Sequence, residues 1–263
     1  MLNLEYLLEE GRQNGLPVLK RRAILREYLQ AIILNSIYKN KSGKSFFFMG
    51  GTAMRYFYNM PRFSEDLDFN AYKLSYEEFK DVIETNVKQE IAKEGFAVEI
   101  SYKKRGGIFI AEALFKDAVR RYLISDKRGI NLMIKIEVNH PAWSLDTEPR
   151  ALSMYGYNFI ALLMQKGNLL SEKVCALLNR KRGRDIYDTL FMLRRKFPFN
   201  EDVLRFNGIK LPVKNTIMDY LKNIDGKELK RLAEQVRPFL FKEDEIELIV
   251  NASMYAETFL EGY

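Results

Sequence analysis

Residues 49–69 read MGGTAMRYFYNMPRFSEDLDF. Gly50 and Gly51 close an apolar run, 45–49, that contains three consecutive phenylalanines and reads as a buried strand. Two adjacent glycines suit a backbone that must approach a phosphate closely. Thr52 is a reasonable cap for a short helix, 53–58, which Pro61 ends. Asp66 and Asp68 then lead into a second strand, 67–72. Residues i and i+2 of a strand point to the same face, so both carboxylates can meet one ligand. Paired carboxylates suit a hard divalent cation such as Mg²⁺. The order strand, Gly-Gly, helix, Asp-x-Asp places both motifs at neighbouring strand ends. There the loop amides and helix N-terminus can hold a triphosphate, and the aspartates can hold a metal against the same phosphates.

Working outward, residues 3–10 and 17–38 show helical periodicity, and Pro17 fits a first-turn position. A helix is expected over 76–94, capped by Ser75 and stopped by Gly95. Three strand-like runs follow at 97–102, 108–115 and 130–139, with Gly106-Gly107 marking a hairpin between the first two. In the third run Leu132, Ile134, Ile136 and Val138 alternate with Met133, Lys135, Glu137 and Asn139. If this strand lies beside the aspartate strand, Glu137 joins the pair as a third carboxylate. Two-metal nucleotidyl transfer uses such a cluster. The plainer reading of Glu137 is an exposed strand residue paired with lysine.

Residues 141–149 read as a loop. From about Ser171 the pattern is mostly helical, with helices at 169–181, 185–195, 214–223, 226–236 and 243–260. The chain therefore divides into a mixed sheet domain over 1–150, with N-terminal helices, and a mainly helical domain over 151–263. The segment EKVCALLNRKRGRDIYD, 172–188, holds Lys173 and Arg180 seven residues apart on one helical face. These are candidate contacts for triphosphate and for substrate phosphates. Asp185 reads as a cap or as a functional carboxylate, and Asp188 as surface charge. Arg62 and Ser64, just before the aspartates, are candidates to bind phosphate, or they are turn residues.

Composition bounds the chemistry. The chain has 263 residues, of which 47% are hydrophobic and 29% charged, enough for a substantial core and for a soluble protein. The net charge of +7 favours a polyanionic partner, with 103–105 (KKR) and 180–184 (RKRGR) as its candidate track. One cysteine, Cys175, and one histidine, His140, exclude an intrachain disulfide and a His/Cys zinc site. The N-terminus lacks the pattern of a signal peptide, and no apolar run approaches a membrane span. A cytoplasmic protein with no membrane partner is expected.

GGTAMRYFYNMPRFSEDLDF, IKIEVN and EKVCALLNRKRGRDIYDTLFML together resemble the AbiEii-type nucleotidyltransferase toxins of bacterial type IV toxin–antitoxin and abortive-infection systems. The resemblance covers residues 46 to about 195. It implies an α+β fold, a polymerase-β-like nucleotidyltransferase mixed sheet flanked by helices, with a helical C-terminal part. It implies an NTP substrate, Mg²⁺ (with Mn²⁺ as an alternative), a cognate antitoxin and, in some relatives, the 3′ end of tRNA as acceptor. Position by position, Gly51 and Thr52, beside Gly50, match the phosphate loop, and Asp66 and Asp68 match the metal-binding pair. Lys173 matches the triphosphate-binding lysine and Asp185 the functional aspartate of RDIYD; Glu137 matches a shorter motif. A protein or small-molecule acceptor, or a non-catalytic nucleotide- or RNA-binding protein, are the rival readings.

Overall fold

A computed structural model describes residues 1–125 and 130–263 of the chain. These divide into two units. The first comprises Met1–Tyr58, Ser64–Pro141 and Thr147–Leu163, and carries a seven-stranded sheet in the order β3-β4-β5-β2-β1-β7-β6. The strands are β1 (Phe47–Met49), β2 (Leu67–Asn70), β3 (Val98–Arg105), β4 (Ile108–Phe115), β5 (Leu132–Asn139), β6 (Thr147–Met154) and β7 (Tyr157–Met164).

The sheet is mixed. β1 runs antiparallel to β2 and parallel to β7, β2 runs parallel to β5, and β3, β4 and β5 are joined antiparallel. The alternation in β5 sets its orientation: Leu132, Ile134, Ile136 and Val138 are fully buried, while Lys135 and Glu137 are half-buried on the other face. β2 follows the same rule, with Leu67 and Phe69 inside and Asp68 on the half-buried face. Each such apolar side chain contributes roughly 1.5–3 kcal/mol by leaving water. The helix Arg21–Tyr38 is buried on nearly every side, as its apolar content all round its axis requires. Ser75 caps the helical stretch 76–93 through a capping box with Glu78, and a π-helical turn spans Val82–Val87.

The second unit comprises Asn59–Phe63, Ala142–Asp146 and Met164–Tyr263. Its main helices are Lys166–Asn179, Gly183–Arg194, Val213–Lys222, Gly226–Val236 and Ala252–Leu260. The helix Gly183–Arg194 packs so tightly on Gly226–Val236 that a Cβ at Gly183 would stand 2.8 Å from the carbonyl carbon of Leu232, and closer still to its oxygen.

The expected α+β class holds, with three corrections. The break expected at 150 falls inside β6, because β6 and β7 form a hairpin that extends the sheet to Met164. Its two-residue turn is Tyr155-Gly156, both at positive φ (49° and 78°), the conformation that a tight hairpin demands. The second helix begins at Arg21, and Pro17 lies in a preceding turn closed by Lys20 N–H to the Pro17 carbonyl. Thr52 does not cap its helix, which already begins at Gly50.

Candidate active site

In the first unit the site forms where β1 gives way to its helix and β2 begins. Gly50 ends the strand in the left-handed region, at φ 75°, and opens the helix Gly50–Tyr58. A Cβ here would lie 2.9 Å from the Cβ of Asp68 and 3.0 Å from its Cγ, so only glycine leaves room for that carboxylate. Gly51 and Thr52 are buried in the first turn, where backbone N–H groups have no partner inside their own helix. The Thr52 hydroxyl donates to the Asp66 carbonyl at 2.5 Å, tying the helix start to the aspartate segment. The Ser64 and Glu65 carbonyls are held from the other side by the Gln30 side-chain amide, at 3.2 and 3.1 Å.

The sheet register brings in the third carboxylate. Asp68 on β2 lies directly beside Glu137 on β5. Between the acids stands Lys135, its ammonium 2.8 Å from Glu137 Oε2 and 3.7 Å from Asp66 Oδ2. Burial alone would lower the Lys135 pKa. The hydrogen bond to Glu137 and the charges of Asp66, Glu137 and Asp68 outweigh it and raise the value. Arg55, one turn further along the glycine helix, is buried and donates to Glu27 at 3.0 Å, an ion pair inside this unit. His140 lies with both ring nitrogens 3.0 Å from backbone carbonyls, those of Gly107 and Leu74.

The donor set suits a hard dication at Asp66 and Asp68: two oxygen ligands from one strand start, with a cationic group already drawn in among the acids. Among the described residues, no three His, Cys, Asp or Glu side chains are grouped to hold a metal. Glu137, expected as a third carboxylate of the cluster or as a strand residue paired with lysine, accepts a hydrogen bond from Lys135.

In the second unit, Lys173 lies within a buried ionic cluster. Its ammonium is 3.2 Å from Asp185 Oδ1 and 3.0 Å from Asp188 Oδ2. Asp188 also receives both Nε and Nη2 of Arg62, each at 2.7 Å, and Arg62 Nη1 donates to the Phe63 carbonyl at 2.9 Å. Arg62, expected on a phosphate, is thus buried and bonded on all three nitrogens. Burial would raise the Asp188 pKa, but Arg62 and Lys173 hold it below the usual carboxylate range. Asp185 Oδ2 and Thr189 Oγ1, one turn apart on the same helix, are buried without a hydrogen-bond partner. Arg180 is exposed just past the end of Lys166–Asn179, beside Lys181 and Arg182. Asp188, read from sequence as surface charge, is fully buried. Its three-residue spacing from Asp185, which puts both on the face that meets Lys173, was the available signal. Cys175 is buried, and its thiol is pushed up to about 11 by that burial.

The family model of the nucleotidyl transferase AbiEii toxin, type IV toxin–antitoxin system, matches residues 32–245. The chain belongs to this AbiEii family. Membership makes it a nucleotidyltransferase, with an NTP as substrate and an antitoxin as counterpart. The AbiEii match spans both units, including Gly50–Tyr58 and Ser64–Asp68 in one and Lys173–Asp188 in the other. Two solved structures share the fold. One is MenT4, a nucleotidyltransferase toxin from Mycobacterium tuberculosis H37Rv, at TM-score 0.63 and 17% identity over 98% of this chain and 90% of that one. The other is JHP933 from Helicobacter pylori, at TM-score 0.57 and 17% identity over 91% and 92% of the two chains. No curated protein matches the sequence. Among the described residues, no helix is long and apolar enough to cross a membrane.

Proposed function

We propose that this enzyme transfers a nucleoside monophosphate from an NTP to a hydroxyl at the 3′ end of tRNA, with Mg²⁺ held by Asp66 and Asp68. The observation that carries the reading is the close fit of Gly50 around Asp68, which sets a carboxylate against the start of a helix. Carboxylate and helix start are the two partners that a metal-bound triphosphate needs. When bound, the ion supplies positive charge that stabilises the attacked phosphoryl group. Gly51 and Thr52 receive phosphate at the helix start. Asp185 and Asp188 hold the Lys173 ammonium in position. The acceptor oxygen forms a bond to the α-phosphorus, the bond from that phosphorus to the α–β bridging oxygen breaks, the hydroxyl proton passes to water and pyrophosphate leaves. The +7 charge and the exposed Arg180, Lys181 and Arg182 favour an RNA acceptor.

The test is transfer of label from each α-labelled NTP in turn to total tRNA with Mg²⁺ present. Label enters the RNA fraction with the wild type and is lost in Asp66→Asn and Asp68→Asn, whose circular dichroism is unchanged. The expected loss is about 10²-fold or more, since a metal contributes several kcal/mol at such a centre. Label in protein alone reassigns the acceptor, and no transfer from any NTP overturns the proposal.

A further inference from the structure

Lys135 is a cation inside the carboxylate face of the sheet unit, bonded to Glu137 and within ion-pair distance of Asp66, one of the two proposed metal ligands. It lies on β5, two residues before Glu137 and therefore on the same face. Asp68 stands beside Glu137 in the β2–β5 register, and Asp66 lies 3.7 Å from the Lys135 ammonium. On the other flank, Glu112 of β4 is opposite Lys135, but Lys103 takes up its charge through bonds of 2.9 and 2.8 Å. Lys135 pairs with Glu137 and Asp66 and feels the charge of Asp68.

We propose that Lys135 is a built-in counter-cation that competes with a divalent metal for Asp66 and Glu137, so that its displacement governs metal loading. The inference rests on the metal reading of Asp66 and Asp68. Three carboxylates on adjacent positions of one sheet face repel one another, and an ammonium among them relieves that repulsion when no metal is bound. A divalent ion brings twice the charge to within roughly 2.1 Å of carboxylate oxygens, closer than the 2.8 Å that separates Lys135 Nζ from Glu137. It therefore outcompetes the ammonium, and Glu137 is released to assist the ion or the acceptor. Lysine suits this exchange: its charge is compact and rides on a flexible four-carbon stem, whereas a guanidinium would grip two carboxylates at once.

The test is Mn²⁺ binding to the full chain without NTP, followed by the loss of the free-ion paramagnetic resonance signal. Wild type, Lys135→Met, Lys135→Arg and Asp66→Asn are compared, with thermal unfolding of the metal-free proteins in parallel. Lys135→Met is expected to bind Mn²⁺ about tenfold or more tightly and to unfold at lower temperature without metal, because removing the ammonium leaves like charges unrelieved. Lys135→Arg is expected to bind more weakly than the wild type, and it carries the test if the methionine variant does not fold. Equal affinity in the wild type and both Lys135 variants, with binding lost in Asp66→Asn, overturns the role of Lys135 and leaves the metal reading standing. No Mn²⁺ binding by any of the proteins overturns both.

Discussion

Gly50 and Asp68 are in mutual contact across the β1–β2 pair: the missing side chain of the glycine is the space that the aspartate occupies. The glycine that opens this helix thus admits a carboxylate.

Gly50→Ala is expected to cost both activity and stability. Alanine at φ 75° is strained, and its methyl would meet Asp68. A displacement near 1 Å at a reacting centre is worth about 10²-fold in rate. A nucleotidyl-transfer assay on the soluble variant reads this directly. Near wild-type turnover would show that Asp68 tolerates the shift.

The Arg62–Asp188 pair is expected to behave as a buried strut of the helical unit. Asp188→Asn leaves Arg62 and Lys173 partly uncompensated and should cost about 3–5 kcal/mol in chemical denaturation. In Arg62→Met with Asp188→Asn, one stranded charge is gone, so the double variant should recover part of that loss. A double variant that is simply the sum of the two singles would contradict the coupling.

Asp188 also predicts an acid-sensitive term. Its folded pKa is depressed by Arg62 and Lys173, so its stabilising contribution is present above the unfolded carboxylate range, about pH 4. The contribution is lost as pH falls through the folded pKa. The stability gap between the wild type and Asp188→Asn should therefore narrow below about pH 4. Unfolding curves across pH 7 to 3 measure it, and a gap that stays constant to the lowest pH counts against the assignment.

Gly183→Ala tests the helix contact that shapes the second unit. The added methyl would press on the Leu232 backbone, which cannot rotate away as a side chain would. A loss of about 1–3 kcal/mol is expected from such overpacking, read as a lower denaturation midpoint. An unchanged midpoint would mean that the helix Gly226–Val236 shifts freely.

Much of the fold was legible because its signals are local. The alternation of β5, the Gly106-Gly107 turn and the Ser75 cap each lie within a few residues and were read correctly. The β6–β7 hairpin was missed because Thr147–Met154 carries a proline and weak alternation, and its turn is signalled only by Tyr155-Gly156. At the site, the Asp66–Asp68 pair and the lysine beside Glu137 could be named from spacing. Their partners could not.

The sequence by itself determined the chemistry on offer: two carboxylates after a glycine turn, a distal lysine–aspartate helix pair, and a family motif that spans both. Only the tertiary structure decided which charge meets which. Arg62 finds Asp188 across 126 residues, Lys135 lies among the acids, and Gly50 makes way for Asp68. The physical reason is that helix and strand periodicity is set by near neighbours. An ion pair is set by strand register and helix packing between distant segments, where no local pattern records the partner.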